Sequence, residues 1–273
     1  MFGKRRLTVI TYILGAAVFL LTVTGDGSVI LQYSRKGEPE IEKNYLPEIT
    51  SVRTERVLME ETSWETVLYK ATSPNEGPTV MVIGGIHGDE PAGYLAAGKI
   101  ATWAIDRGTL LVLPRANVPA IKKGERSGPD GSDLNRAFRG DPGDNKTGMM
   151  ASQILDIMYE FEPDWVIDLH EADHFERDYR GALGQTFIYP HGSESIDFTE
   201  ELLKGVNRSI YNQEYYFTIL RGMAKGSTIE AAQLIGLDAL IIETTKEMDI
   251  DDRIQFHCQV VSSLFYLLEV NVY

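Results

Sequence analysis

His87 and Glu90 lie three residues apart, directly after a short apolar run and two glycines. The β-branched residues of 79–83 predict a buried strand, the glycines end it, and Pro91 opens a helical pattern that extends to residue 105. The pair therefore lies in a strand-to-helix loop. Imidazole nitrogen and carboxylate oxygen suit Zn²⁺, and a catalytic zinc site usually has three protein ligands. We expect a third ligand elsewhere, unless the pair is only a loop histidine beside a carboxylate that favours a helix N-terminus.

The chain has five histidines, so few candidates exist for the third ligand. His170 follows the apolar run 165–169, at the end of a predicted strand where open α/β sheets bind ligands. His174 lies in a charged segment and is more typical of a surface or pocket rim, and His191 after a second short strand is a weaker competitor. Asp168 shares a sheet face with His170 and either orients a metal-binding imidazole or caps a neighbouring loop.

Several short segments resemble, in the same order, the succinylglutamate desuccinylase/aspartoacylase family within the zinc carboxypeptidase superfamily. The segments are residues 84–90, 114–117, 133–138, 168–170 and 242–244. They extend over roughly residues 79 to 260, which is most of the chain after its N-terminal region. Each motif alone is weak or moderate, and their common order makes the resemblance specific.

The resemblance implies that His87, Glu90 and His170 bind one Zn²⁺, and that Asn135 and Arg136 bind a substrate carboxylate. The second assignment suits the chemistry, because a planar guanidinium offers paired N–H donors and an amide adds a neutral donor. Without the neighbouring motifs, the Asn-Arg pair would be a polar turn with a solvated arginine.

Two further arginines flank this pair. By the resemblance, Arg126 helps to polarise the scissile carbonyl. Arg139 stands where the family commonly has a proline after the phenylalanine of the motif. Arg139 therefore either extends recognition to a second acidic group of the substrate or is a solvated side chain.

Glu243 emerges at the end of the apolar run 239–242, and the resemblance implies that it is the general base. It would take a proton from zinc-bound water and pass it to the leaving nitrogen. The alternative is an ion pair with Lys246. Glu171 is the rival base, although it follows His170 directly, and neighbouring side chains on a strand point to opposite faces.

Apolar patterns predict a single α/β domain of the zinc carboxypeptidase type, with a mixed, mainly parallel sheet between helices. Strands are predicted at residues 79–83, 110–113, 165–169, 186–189 and 239–242, and helices at residues 91–105, 149–161, 198–211 and 250–268. Two earlier runs, 52–59 and 66–71, predict an antiparallel hairpin at one edge of the sheet.

The N-terminus predicts a location outside the cytoplasm. Lys4, Arg5 and Arg6 precede an uncharged segment, 7–24, whose 18 residues would span about 27 Å as a hydrophobic helix. Basic residues stay on the cytoplasmic side, so the following domain is expected outside. We predict a signal-anchor or signal peptide at 1–25, a linker at 26–46 and a zinc hydrolase domain at 47–273, either membrane-anchored or, after cleavage, secreted.

Charge and cysteine content exclude some classes of protein. The formal net charge of −14 disfavours binding to nucleic acid. Cys258 is the single cysteine, so an intramolecular disulfide is impossible.

These observations predict a zinc-dependent amide hydrolase that recognises a small molecule or short peptide through a free carboxylate. It would be either a deacylase of N-acyl amino acids or a carboxypeptidase-like enzyme, and the extracytoplasmic location favours peptides. One alternative is a catalytically silent, membrane-anchored domain that binds zinc and a ligand. Another is a structural membrane protein in which the metal only stabilises the fold.

Overall fold

A computed structural model describes residues 8–14, 17–23, 29–35, 44–45, 51–140, 145–190 and 195–273, the first four ranges as secondary structure only. The chain divides into two compact units, Met1–Thr50 and Ser51–Tyr273. The predicted boundary at residue 47 lies close to this division. Lys4, Arg5 and Arg6 and more than half of the predicted linker lie outside the described residues.

The first unit contains four antiparallel strands in sequential order. They are β1 (Thr8–Leu14), β2 (Ala17–Val23), β3 (Val29–Arg35) and β4 (Asn44–Tyr45). The structure therefore does not support the hydrophobic helix predicted over residues 7–24. This segment is rich in β-branched and aromatic residues, which favour extended strands over helix. Within the described part of the chain, every helix is too short or too polar to cross a lipid bilayer.

The second unit contains an eight-stranded sheet with the order β11-β10-β12-β9-β7-β8-β6-β5. Its strands are β5 (Val52–Leu58), β6 (Thr66–Thr72), β7 (Thr79–Gly84), β8 (Thr109–Leu113), β9 (Trp165–Ala172), β10 (Thr186–Tyr189), β11 (Thr218–Arg221) and β12 (Asp238–Thr245). The helices are α1 (Pro91–Ile100), α2 (Val118–Lys123), α3 (Lys146–Phe161), α4 (Ile196–Ser209), α5 (Thr228–Leu234) and α6 (Ile250–Leu267).

The centre of this sheet is parallel, as predicted. Strands β12, β9, β7 and β8 run in one direction, and the predicted hairpin of β5 and β6 forms one edge. The other edge differs, because β10 is antiparallel to β12 and pairs with β11, a strand that the sequence patterns missed. The predicted α/β class with a mixed sheet between helices is confirmed, with β10 and β11 as the departure from a simple parallel order.

Helices cover both faces of the sheet, and the side chains of each strand alternate between them. Val80 and Val82 of β7 belong to one apolar cluster with α1, α4 and α6, which we call the α6 face. Met81 and Ile83 belong to a second cluster with α3 and α5, which we call the α5 face. On β9 and β12 the alternation continues into polar residues at the C-terminal ends of the strands, where the candidate site lies.

Candidate metal centre and its cavity

Two glycines and a capping asparagine hold the loop that carries His87. Gly85 has φ of 72°, the left-handed conformation that turns the chain out of β7. At Gly88 a Cβ atom would lie 2.0 Å from the carbonyl carbon of Ala120 in α2, so only glycine allows this approach. Asn117 accepts from the N–H of Ala120 and donates its amide to the carbonyl of Ile86, at 3.2 and 3.3 Å. The motif at 114–117 therefore positions the loop.

His87, Glu90 and His170 meet at the C-terminal ends of β7 and β9, and all three are buried. The two oxygens of Glu90 lie 2.7 Å from His87 Nδ1 and 2.8 Å from His170 Nδ1. The two Nδ1 atoms are 3.1 Å apart. Two nitrogen ligands at the usual zinc distance and a tetrahedral angle would be about 3.3 Å apart. The spacing and the chemistry of these donors thus fit one Zn²⁺.

Attraction between Glu90 and the two imidazoles shifts the pKa values of these groups. Burial favours the neutral form of Glu90, but His170 and His87 outweigh burial and hold the pKa of Glu90 well below its usual range. Burial also favours neutral His170, yet Asp168 and Glu90 raise the pKa of His170 well above its usual value. A metal ion that binds here must displace a proton from imidazole, so its binding should strengthen as pH rises.

Each of the two imidazoles has a carboxylate at its remaining nitrogen. Asp168 Oδ2 lies 2.9 Å from His170 Nε2, and Asp133 Oδ1 lies 3.1 Å from His87 Nε2. Such carboxylates fix the orientation and tautomer of a metal-binding histidine. Asp168 therefore has the orienting geometry that was one of its two predicted alternatives. The contact of Asp133 was not predicted, although Asp133 opens the motif at 133–138.

Asn135 lies in a short 3₁₀ turn (Leu134–Arg136) capped by Asp133, and its side chain is buried. Its Oδ1 accepts from the N–H of Thr228 at 3.0 Å, which leaves Nδ2 near His170 Nε2, at 3.5 Å. The neighbouring Arg136 lines the same cavity and donates one N–H to the carbonyl of Asn135. Both predicted carboxylate-binding residues thus lie beside the trio, with N–H donors available to a ligand.

The two flanking arginines have different surroundings. Arg126 lines the cavity, donates to Asp133 Oδ2 at 3.0 Å and has its Nη1 3.6 Å from Glu90 Oε1. Arg139 is not among the residues that line the cavity, and its Nε lies 2.7 Å from Oε2 of the buried Glu230. The guanidinium of Arg139 is thus paired with Glu230 and 42% exposed, which is closer to the predicted solvated side chain than to a group that faces the cavity.

Glu243 on β12 lies directly beside His170 on β9 and points to the same face. Its carboxyl is buried, and the described residues form no hydrogen bond or ion pair with it. Lys246 was the predicted alternative partner, but its Nζ lies 3.0 Å from Asp173 Oδ1 and 3.6 Å from Asp89 Oδ2. Burial raises the pKa of Glu243 to about 8. Glu243 is thus a buried, unpaired carboxyl at the edge of the trio.

Glu171, the rival base, points to the α6 face. Its carboxylate accepts from the N–H of Ala92 at 2.6 Å and forms an ion pair with Arg253 of α6. Its own N–H donates to Glu90 Oε2 at 3.0 Å. Glu171 borders the cavity, but the predicted opposition of neighbouring side chains directs its carboxylate to the face opposite that of His170.

A cavity of about 680 Å³ joins these groups. Loop 173–184 after β9 contributes His174, Tyr179 and Arg180, none of which was assigned to the site. His174 lies at the rim, as predicted, and its Nδ1 is 2.8 Å from Glu247. Tyr179 and Arg180 were missed because no local pattern shows that a loop folds over a site. His191 lies outside the described residues.

The chain is similar in sequence to known proteins. Residues 76–176 match the profile of the succinylglutamate desuccinylase/aspartoacylase catalytic domain. The family predicted from the motifs is confirmed over this segment, which contains His87, Glu90 and His170. A curated relative, the N-alpha-acetyl-L-2,4-diaminobutyric acid deacetylase of Halomonas elongata, is 37% identical over 119 residues, which are 41% of this chain and 34% of the relative. The chain thus spans about a third of the length of that relative.

Solved structures share the fold. Product-bound Csd4, a cell shape determinant of Helicobacter pylori, superposes with a TM-score of 0.68 at 20% identity, over 76% of this chain and 56% of that one. The succinylglutamate desuccinylase/aspartoacylase of Rhodobacter sphaeroides superposes with a TM-score of 0.60 at 19% identity, over 80% of this chain and 66% of that one. The second unit therefore shares the fold of these two structures.

Proposed function

We propose that this chain is a metal-dependent amide hydrolase for a small molecule or short peptide with a free carboxylate. The observation that carries the proposal is that the His87–Glu90–His170 trio shares one cavity with the unpaired carboxyl of Glu243. The names of its relatives agree, since one is a deacetylase and Csd4 is described as a D,L-carboxypeptidase. This supports hydrolysis of an amide bond as the reaction class.

His87, Glu90 and His170 would hold one Zn²⁺ in this cavity. When bound there, the ion would acidify water and polarise a carbonyl oxygen. Glu243 would accept the proton of the attacking water and deliver it to the leaving nitrogen. Its pKa of about 8 would fall near a bound cation, because positive charge favours the carboxylate, and this moves it towards the ionised form that a base requires.

The substrate would be held by Asn135 and Arg136, whose N–H donors line the cavity beside the trio. Arg126, close to Glu90, would place positive charge near the carbonyl oxygen as that oxygen becomes negative. The cavity volume of about 680 Å³ admits a molecule of the size of an acylated amino acid or a short peptide. Tripeptide-bound and mDAP-bound structures of Csd4 make short peptides part of the panel to be tested.

The test is hydrolysis by the purified full-length chain loaded with Zn²⁺. The panel consists of N-acetyl and N-succinyl amino acids, and of di- and tripeptides with a free C-terminal carboxylate, with release of the amine as the readout. We expect cleavage in one class, lost in His170→Ala together with the bound zinc. A chain that holds one zinc per molecule and cleaves nothing in the panel would contradict the proposal and favour a silent ligand-binding domain.

An extracytoplasmic location is a separate proposal that rests on sequence alone, because basic residues before an uncharged segment are also typical of a signal peptide; the strands β1 and β2 do not contribute to it. Protease treatment of intact cells tests it. We expect the second unit to be cleaved while a cytoplasmic marker survives, and protection of the whole chain would contradict this location.

A further inference from the structure

We infer that Thr228 is a positioning residue that links the amide of Asn135 to the orientation of His170. This inference rests on the proposed function, because it concerns the proposed metal and carboxylate groups. Thr228 is the first residue of α5 and is fully buried. Its N–H donates to Asn135 Oδ1 at 3.0 Å. Its hydroxyl donates to Asp168 Oδ2, the shorter of its two contacts, and lies 3.4 Å from Asn135 Oδ1.

The hydroxyl acts on His170 through Asp168. Asp168 Oδ2 also lies 2.9 Å from His170 Nε2, so Thr228, Asp168 and the imidazole form one chain of contacts. Asp168 is completely buried, and its other oxygen, Oδ1, has no hydrogen-bond partner among the described residues. A buried carboxylate with so few donors depends strongly on each of them. Without the hydroxyl, Asp168 would lose the contact that fixes the oxygen facing His170.

The N–H acts on Asn135. Because this N–H occupies Oδ1, the NH₂ group of Asn135 is directed towards His170 and the cavity. The start of α5 is itself fixed, since Ser227 caps it and Glu230 accepts from the N–H of Gly226 at 2.6 Å. Thr228 is thus held rigidly enough to set the direction of two side chains.

Three substitutions separate these two actions. Thr228→Val removes the hydroxyl and keeps the N–H, and Thr228→Ser restores the hydroxyl. Thr228→Pro removes both donors, and proline is tolerated at the first position of a helix when the preceding residue is extended, as Ser227 is with φ of −79° and ψ of 164°. Thr199→Val is the matched control, because Thr199 is a buried threonine near the start of α4 on the α6 face.

The first readout is Zn²⁺ affinity, measured by competition with a chelator in the absence of substrate. We expect Thr228→Val to weaken binding by about 10-fold, the lower end of the usual 10- to 100-fold effect of removing a group beside a metal ligand, because Thr228 acts on His170 through Asp168. Thr228→Ser and Thr199→Val should stay near wild type. Wild-type affinity in Thr228→Val, or equal losses in Thr228→Ser and Thr228→Val, would overturn the inference.

A second readout is a double-mutant cycle with Asp168→Ala. If the hydroxyl acts through Asp168, Thr228→Val should have little further effect on Zn²⁺ affinity in the Asp168→Ala background. Full additivity of the two losses would overturn this route. The zinc assays do not require turnover, so a protein that binds zinc through this network but cleaves no substrate would refute only the proposed function.

The third readout is the division between KM and kcat for the best substrate. Thr228→Val keeps the N–H that directs Asn135, so we expect its kcat to fall while its KM stays near wild type. Thr228→Pro should raise KM as well. Equal KM values in Thr228→Val and Thr228→Pro, with both variants folded by thermal unfolding, would overturn the link to Asn135.

Discussion

At the C-terminal ends of β9 and β12, Glu171 on one face of the sheet is paired, whereas Glu243 on the other face is not. On the α6 face, Glu171 is surrounded by donors from α1 and α6, while Thr244 contacts His257 at 3.1 Å. On the α5 face, Glu243 is equally buried but has no partner among the described residues. Burial alone is therefore not the mark of a catalytic group. A buried carboxyl that the fold leaves unpaired beside a cavity is the one available for chemistry.

Replacing Glu243 with Gln should produce the largest effect. We expect kcat to fall by about 10²- to 10⁴-fold, because the proposed proton acceptor is lost. Zinc content and thermal stability should be retained, because no ion pair is broken. Turnover assays, metal analysis and thermal unfolding measure the three quantities. Unchanged turnover would place the base elsewhere and remove the contrast between the two faces.

Arg253→Met tests the paired face. The substitution leaves Glu171 buried without its cation, and we expect the free energy of unfolding to fall by about 3–5 kcal/mol. The double variant Glu171→Leu/Arg253→Met should recover most of this loss, and both variants should bind zinc near wild-type affinity. Urea unfolding and chelator competition test this, and a variant of normal stability that has lost zinc would assign Arg253 to the site.

His257 supplies a pH dependence that is specific to the α6 face. Burial lowers the pKa of His257 to about 3, so the folded protein keeps it neutral while the unfolded chain binds a proton below its ordinary value of 6.5. Stability is then complete above pH 6.5 and is lost as pH falls towards 3. Relative to His257→Gln, the wild type should lose about 2 kcal/mol between pH 7 and pH 5. Urea unfolding of both proteins in EDTA measures this difference, and parallel pH profiles would contradict it.

Arg139→Gln should have the smallest effect and distinguishes the two alternatives predicted for this residue. Because the Arg139 side chain is 42% exposed, losing its ion pair with Glu230 should cost only about 1 kcal/mol of stability. KM should change little, since the guanidinium does not line the cavity. A large rise in KM at normal stability would favour the alternative in which Arg139 recognises a second acidic group.

Most of the central fold followed from local patterns in the sequence. The β-branched runs of β7 and β9 and the helical pattern of α6 are long enough to show their periods clearly. The short elements α2, α5 and β11 were missed, because a few residues do not define a period. The helix predicted at residues 7–24 is not observed, because an uncharged segment without a polar face suits either helix or strand. Most of its β-branched residues lie in β1 and β2, where extended backbone is favourable.

The sequence by itself indicated three candidate metal ligands, the alternation that separates the side chains of His170 and Glu171, and the resemblance to the family. These depend on residue identity and on the two-residue period of a strand. Only the tertiary structure shows which side chains contact the candidate metal ligands and the neighbouring polar residues. Asp133 and Asp168 at the imidazoles, Thr228 between Asn135 and Asp168, and Glu230 against Arg139 are pairings between separate elements. Such pairings depend on how helices and loops pack over the strand ends, and no local pattern contains that information.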